Sequence, residues 1–291
     1  MVGDRLPPII ASSAPPESVR IGSRWLDTWI PPPGHTPKNL SSQTVQHMSR
    51  VLKSYPKIML KDEPLPPIIH PCQLVVTQLP LANCRTLLRM WEAKAPGSES
   101  MVRETVRREM SKLFEEHQTY DPPTLLSAAQ AYLLYSIHLF FSLDSESVAL
   151  IDTTTMINLQ ELASAVSLTG LYSDPPRPSW EAWILAEATR RTLYAMYMFD
   201  NVFNFSQQTA SYIATELGRL PVPSSRALWA AATRDEWVKE YGRYLTEWPS
   251  DIPRLEDLWP HQIERVAKER RERLDQWVES VDEFASMTHG R

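Results

Sequence analysis

The residues best placed to do chemistry lie in one stretch, Ser179 to Asp200, SWEAWILAEATRRTLYAMYMFD. Trp180, Ile184, Glu187, Arg191, Tyr194 and Met198 recur at steps of three or four, so on a helix they share a face. That face mixes large aromatics with an i,i+4 acid–base pair, Glu187 and Arg191, with Arg190 alongside. Two kinds of chemistry suit Glu187, Arg190, Arg191, Tyr194, Tyr197 and Asp200. They can form a buried ion network that fixes the register of neighbouring helices. Alternatively they line an effector pocket, whose aromatic and arginine surface would take an acidic or polyketide-like small molecule. The network is the favoured expectation of the two.

Acid–base catalysis needs only one or two titratable groups in a dry cavity, which makes His138 and Asp200 the catalytic candidates if the chain is an enzyme. His138 lies in the most apolar stretch, where desolvation would lower its pKa and keep it neutral. Asp200 ends its stretch close to Asn201 and Asn204. The structural counterparts are a hydrogen-bonded core histidine and an aspartate paired with an arginine of the same layer.

Helices must position these groups. Ser179, after the DPPRP run, is a good N-cap, and Glu181 sits where a first-turn dipole favours negative charge. Upstream, Val102, Val106, Met110, Leu113 and His117 form an apolar stripe, opposed by Arg103, Glu104, Arg107, Arg108, Lys112, Glu115 and Glu116. Asp121-Pro122-Pro123 ends that helix. Residues Thr124 to Leu143 are apolar nearly all round, as in a helix buried on every side or a membrane span; Gln130, His138 and three serines favour burial. Further helices are expected over 146–168, ended by Thr169-Gly170, and over 205–217, ended by Gly218. Another opens at Thr233, which makes a capping box with Glu236. The last is expected over 261–286, with Ile263, Val266, Leu274, Trp277, Val281 and Phe284 facing inward. No period-two run with hairpin turns occurs and only 8 glycines are present, so neither sheets nor Gly-rich phosphate loops are expected. The fold class is all-α, a single multi-helix domain.

Several chemistries are disfavoured. The two cysteines, Cys72 and Cys84, lack C-x2-C spacing and no H-x3-H occurs, so no tetrahedral metal site is expected. His70 and Cys72 are expected as ordinary loop residues. No dinucleotide, P-loop, zincin or nucleophile-elbow motif is present, nor the clustered aspartates that a terpene cyclase needs for magnesium. No cofactor is expected, and the balance favours a non-enzyme. A net charge of −5 argues against direct DNA binding by this chain. Arg265 to Arg273, RVAKERRER, is locally basic, but interleaved glutamates point to a solvated face of i,i+3 and i,i+4 pairs rather than a phosphate-contacting or nuclear-localisation patch.

With 43% apolar and 22% charged residues among 291, the chain can bury a large core without disulfides, as suits a reducing compartment. The N-terminus lacks a secretory layout. Fourteen of the 25 prolines fall in the first 80 residues, so 1–40 reads as a Pro-rich arm and 41–291 as the helical domain. Trp25, Trp29 and Ile30 suggest that the arm docks back onto its domain. Seven of the ten tryptophans lie between Trp180 and Trp277; Trp229, Trp237, Trp248 and Trp259 follow capped or Pro-containing segments, a placement that suits surface-near positions at helix ends, with core packing the default for each.

The Ser179–Asp200 wording, Trp-x-x-Trp, then Glu, Arg-Arg-Thr, Tyr-x-x-Tyr and Asp, resembles the fungal-specific transcription factor regulatory domain, or middle homology region. Lys53 to Pro71, Asp121 to Phe141 and Arg219 to Trp229 resemble the same family in the same order. The family's zinc-cluster DNA-binding module has no counterpart here. The resemblance implies a regulator or co-regulator of fungal, secondary metabolism acting in the nucleus through a protein partner or homodimer, with a small-molecule effector and no membrane. The alternative is a non-metal enzyme of a secondary-metabolite pathway, a cyclase, dehydratase or isomerase, on the same scaffold.

Overall fold

A computed structural model describes residues 38–61, 63–75, 79–142, 151–170, 178–213, 217–248, 252–258, 264–282 and 284, with 170, 264–267 and 269 by backbone only. The described elements are helices: α1 Ser42–Met59, α2 Cys72–Val75, α3 Leu79–Glu92, α4 Glu99–Glu116, α5 Pro122–Phe141, α6 Thr153–Gly170, α7 Trp180–Ser206, α8 Arg226–Trp229, α9 Arg234–Glu247 and α10 Glu264–Ser280. The chain is therefore all-α. Residues 1–37 of the arm, including Trp25, Trp29 and Ile30, lie outside the described residues, as does Trp259.

Everything is arranged around α5. Its side chains are apolar on all faces, and from Leu125 to Ile137 every residue is buried. A helix of this kind must be covered on all sides, and α1, α3, α4, α6 and α7 cover it. By length and composition α5 could cross a membrane; in this fold its surroundings are other helices. Asp121 accepts from Thr124 N–H and the two prolines occupy the first turn, where missing N–H groups cost nothing. The polar residue Gln130, fully buried at its centre, donates to Ile68 O (2.6 Å) and Thr192 Oγ1 (3.3 Å) and accepts from Gln73 Nε2 (2.9 Å). α5 is thereby tied to the Pro-rich loop before α2 and to α7.

Local signals set most helix ends. Ser179 caps α7, Thr233 and Glu236 form the capping box of α9, and Val102, Val106, Met110 and Leu113 bury the inner face of α4. Helix α1 lies in a stretch that the proline content left unassigned; Val45, Met48, Leu52, Tyr55 and Met59, at steps of three and four, bury its inner face.

Three boundaries are corrected. The helix expected over 205–217 does not form over its described residues 207–213, and 214–216 lie outside the described residues. α7 runs on to Ser206, Gln208 takes a left-handed φ of 56°, and Thr209 bonds Asn204 O through both its N–H (2.9 Å) and its hydroxyl (3.1 Å). These carbonyl-capping bonds end the helix, and the polar QQTAS that follows has no apolar period to restart one. Of the helix expected from 146, residues 146–150 lie outside the described residues; the described helix begins at Thr153, where Asp152 Oδ1 accepts from Thr155 N–H (2.8 Å) and caps it, and its end at Gly170 agrees. The last helix ends at Ser280, before the expected 286; beyond it Asp282 bonds Arg191 and Phe284 is buried in the core, while 283, 285 and 286 lie outside the described residues. Leu274 and Trp277 face inward as expected, Val281 is half-buried, and Ile263 and the side chain of Val266 lie outside the described residues.

Replacing Gln130 by Leu leaves Ile68 O and the Gln73 amide without their buried partner. The expected cost is about 1–3 kcal/mol of unfolding free energy, read from urea denaturation. An unchanged midpoint would mean that this amide does not hold the loop to the core.

Candidate functional site

The segment RLPVPSS before α8 sets up the site. Pro221 and Pro223 have no N–H to offer, and their fixed φ keeps the segment extended. Backbone bonds tie it to 253–255, with Leu255 N–H donating to Leu220 O (3.0 Å) and Val222 N–H to Pro253 O (2.9 Å), and three of its other carbonyls are taken by side chains. Tyr194 donates to Pro221 O (2.7 Å), Trp277 Nε1 to Pro223 O (2.9 Å) and Arg191 Nη2 to Ser224 O (3.3 Å). The prolines thus create acceptors that α7 and α10 answer.

Helix α7 supplies the charges. Glu187 Oε1 accepts from Arg191 Nε (2.9 Å), Ser224 N–H (2.9 Å) and Ser224 Oγ (3.1 Å), while Oε2 accepts from Arg190 Nη2 (2.7 Å). Arg191 is 0% exposed. Its Nη1 donates to Asp282 Oδ2 (2.7 Å) and Pro67 O (3.3 Å), and its guanidinium lies 4.4 Å from the Trp229 ring centre and 5.4 Å from that of Phe284. Two carboxylates and two guanidinium groups balance, as a dry interior requires. An aromatic series continues outward from Trp229 through Trp183 (6.3 Å), Trp237 (6.1 Å), Tyr241 (4.8 Å) and Tyr244 (6.1 Å).

These surroundings set the protonation states. Burial pushes the Glu187 carboxyl upward, but Arg190 and Arg191, with the Ser224 N–H, outweigh it and hold the pKa at about 2. Burial lowers His70 to about 4 against the opposing pull of the Ala231 and Trp229 backbone, and the ring stands edge-on to Trp229 at 5.0 Å. Burial likewise lowers His138 to about 4, assisted by Lys94 and Lys57.

The structure brings Glu187, Arg190 and Arg191 together as a network, with Tyr194 beside them. Tyr197 lies elsewhere, donating to Tyr212 O (3.0 Å) with Lys38 Nζ 4.4 Å above its ring. His138 and Asp200 have different neighbours. The first stands edge-on to Trp91 of α3 (4.8 Å), and its Nε2 is buried without a hydrogen-bond partner, contrary to the bonded core histidine expected. The second accepts from Asn204 Nδ2 (3.1 Å). His70 is fully buried, its Nδ1 accepting from Cys72 N–H (3.2 Å). No group of three metal-ligating side chains occurs among the described residues. Trp229, Trp237 and Trp248 are buried, as the default of core packing has it, and not surface-near. In the basic stretch, Lys268 and Glu272 make the expected i,i+4 pair (3.9 Å), but Arg270 (3.2 Å) and Arg273 (3.6 Å) reach across to Asp257.

Asp282 and Ser224 are members of this site that sequence reasoning missed. The available signal was the pair of prolines flanking Val222, whose carbonyls had to find donors outside any regular element.

Replacing Glu187 by Gln strands two guanidinium groups with one carboxylate, and the expected loss is about 3–5 kcal/mol by calorimetry or denaturant. The histidines make stability depend on pH in a defined window. Both remain neutral in the folded chain while the unfolded chain takes up protons below pH 6.5, so stability falls as pH drops from about 6.5 to about 4. His70 alone accounts for on the order of 3 kcal/mol of that fall, and His70→Gln is expected to flatten the profile. A profile unchanged by the substitution would show that His70 takes up its proton in the folded state.

Comparison with protein-family models, with curated proteins and with solved structures finds no match to this chain.

Proposed function

We propose that this chain is a regulatory binding domain, a transcriptional regulator or co-regulator of fungal secondary metabolism that works in the nucleus through a protein partner or a second copy and responds to a small-molecule effector. The observation that carries the binding part is how the most reactive-looking groups are used. Both Glu187 oxygens already accept hydrogen bonds, one from three donors, so the carboxylate has no free site for a substrate proton. Arg191 is likewise engaged through Nε, Nη1 and Nη2. His138 and Asp200, the candidate acid and base, are not joined to each other, since His138 stands against Trp91 and Asp200 accepts from Asn204. The transcriptional part rests on the resemblance of residues 53–71, 121–141, 179–200 and 219–229 to the fungal regulatory domain.

Deleting the gene in its native host, then measuring transcripts of neighbouring genes and secreted small molecules in the same culture, tests the proposal. Neighbouring transcripts are expected to fall. Steady transcripts with one accumulating pathway intermediate would overturn it in favour of the enzyme reading, a cyclase, dehydratase or isomerase.

A further inference from the structure

Helix α1 is divided between two faces of different chemistry. Val45, Met48, Leu52, Tyr55 and Met59 are buried, as the helix packs on α5 and α7. Arg50, Lys53 and Lys57 recur at steps of three and four on the opposite face and are exposed; His47, one step earlier, and Lys61, just past the last turn, are exposed as well. Residues 38–61 contain five lysines and arginines and no aspartate or glutamate, in a chain whose net charge is −5, so the other residues together carry −10.

Other exposed helices neutralise their cations locally. Arg108 pairs with Glu104 on α4 (3.1 Å), Arg243 with Glu240 on α9 (2.9 Å) and Lys268 with Glu272 on α10 (3.9 Å). On α1 the same steps bring cation to cation, Arg50 to Lys53 and Lys53 to Lys57, and none of the three makes an ion pair among the described residues. Like charges at these steps weaken a helix, and the first turn of α1 also lacks the acid that the helix dipole favours. This face therefore opposes the folding of its own helix, and an anion laid along it would relieve the repulsion.

We propose that the outward face of α1 docks an acidic helical segment of a partner protein. Its cations succeed one another by about 4.5 and 6 Å along the axis, and Asp or Glu side chains three and four residues apart on a partner helix have the same spacing. A short segment meets only the local positive field, since charges more than about 10 Å away are screened. A long polyanion such as duplex DNA runs beyond α1, over a remainder that is net negative. A bilayer would need an apolar face beside the basic one, and that of α1 is spent on the core. The inference names the chemistry of the protein partner in the proposed function and rests on that reading, but its test is independent of transcripts.

The full-length chain is titrated by fluorescence anisotropy with a labelled alanine-based peptide of about 18 residues carrying glutamate at every third or fourth position. Binding is expected, and Arg50→Gln, Lys53→Gln, Lys57→Gln together should weaken it at least about tenfold. Lys112→Gln, Arg226→Gln, Lys239→Gln removes the same charge from other exposed positions and should change it less than about twofold. Lys53→Glu separates binding from stability: by pairing with Arg50 and Lys57 it should raise the urea midpoint while weakening the peptide. No binding by the unaltered chain, equal weakening by the two triple variants, or equal binding of a peptide with glutamine in place of glutamate would overturn the proposal. Tighter binding of labelled DNA or of phosphatidylserine vesicles, lost on the α1 substitutions, would overturn it in favour of a phosphate partner. The transcript measurement decides the regulatory reading on its own.

Discussion

A guanidinium buried to 0% exposure is the constraint on which the rest of this molecule depends. A charge cannot be left in a dry interior, so the chain must bring acceptors to Arg191 from wherever it can. Glu187 comes from the preceding helical turn, Ser224 O from the segment before α8, Pro67 O from the loop before α2 and Asp282 from beyond α10. Each delivery fixes one segment relative to α7. Loops rich in proline, which have few N–H groups for ladders of their own, are held in large part by side chains of a helix.

Helix α5 supplies the complementary constraint, that of apolar surface. Its all-round hydrophobicity requires a shell of helices, yet apolar contact alone does not choose among ways of arranging that shell. Gln130 does choose: three bonds, to Ile68, Gln73 and Thr192, pin one loop and one helix at fixed height along α5. Polar atoms at the centre and apolar area around it therefore divide the labour between specificity and driving force.

Helix positions were legible where a local signal settles them. Ser179, Thr233 with Glu236 and the Val102–Leu113 stripe act within one or two turns, and the structure places caps and faces there. Legibility failed where a competing local bond or a distant partner decides: Thr209 closing on Asn204, or Asp282 leaving the helical path for Arg191. The site shows the same division. The Glu187–Arg191 pair, four residues apart, can be read directly, whereas the partners of Arg191 at sequence separations of 33, 91 and 124 cannot, because no periodicity encodes them. The tryptophans follow the default of core packing rather than the surface-near placement that their Pro-containing and capped flanks also allowed: Trp229 lies against a buried guanidinium and Trp237 continues the aromatic series from it.

The order in which the chain is made gives the Arg191–Asp282 contact a further consequence. A ribosome that has released α1 to α9 has delivered every helix that surrounds α5, together with Glu187, Arg190 and Arg191, but not the second carboxylate. Until residue 282 emerges, Glu187 faces Arg190 and Arg191 without the second carboxylate, so the charge balance of this interior depends on a residue made after α10.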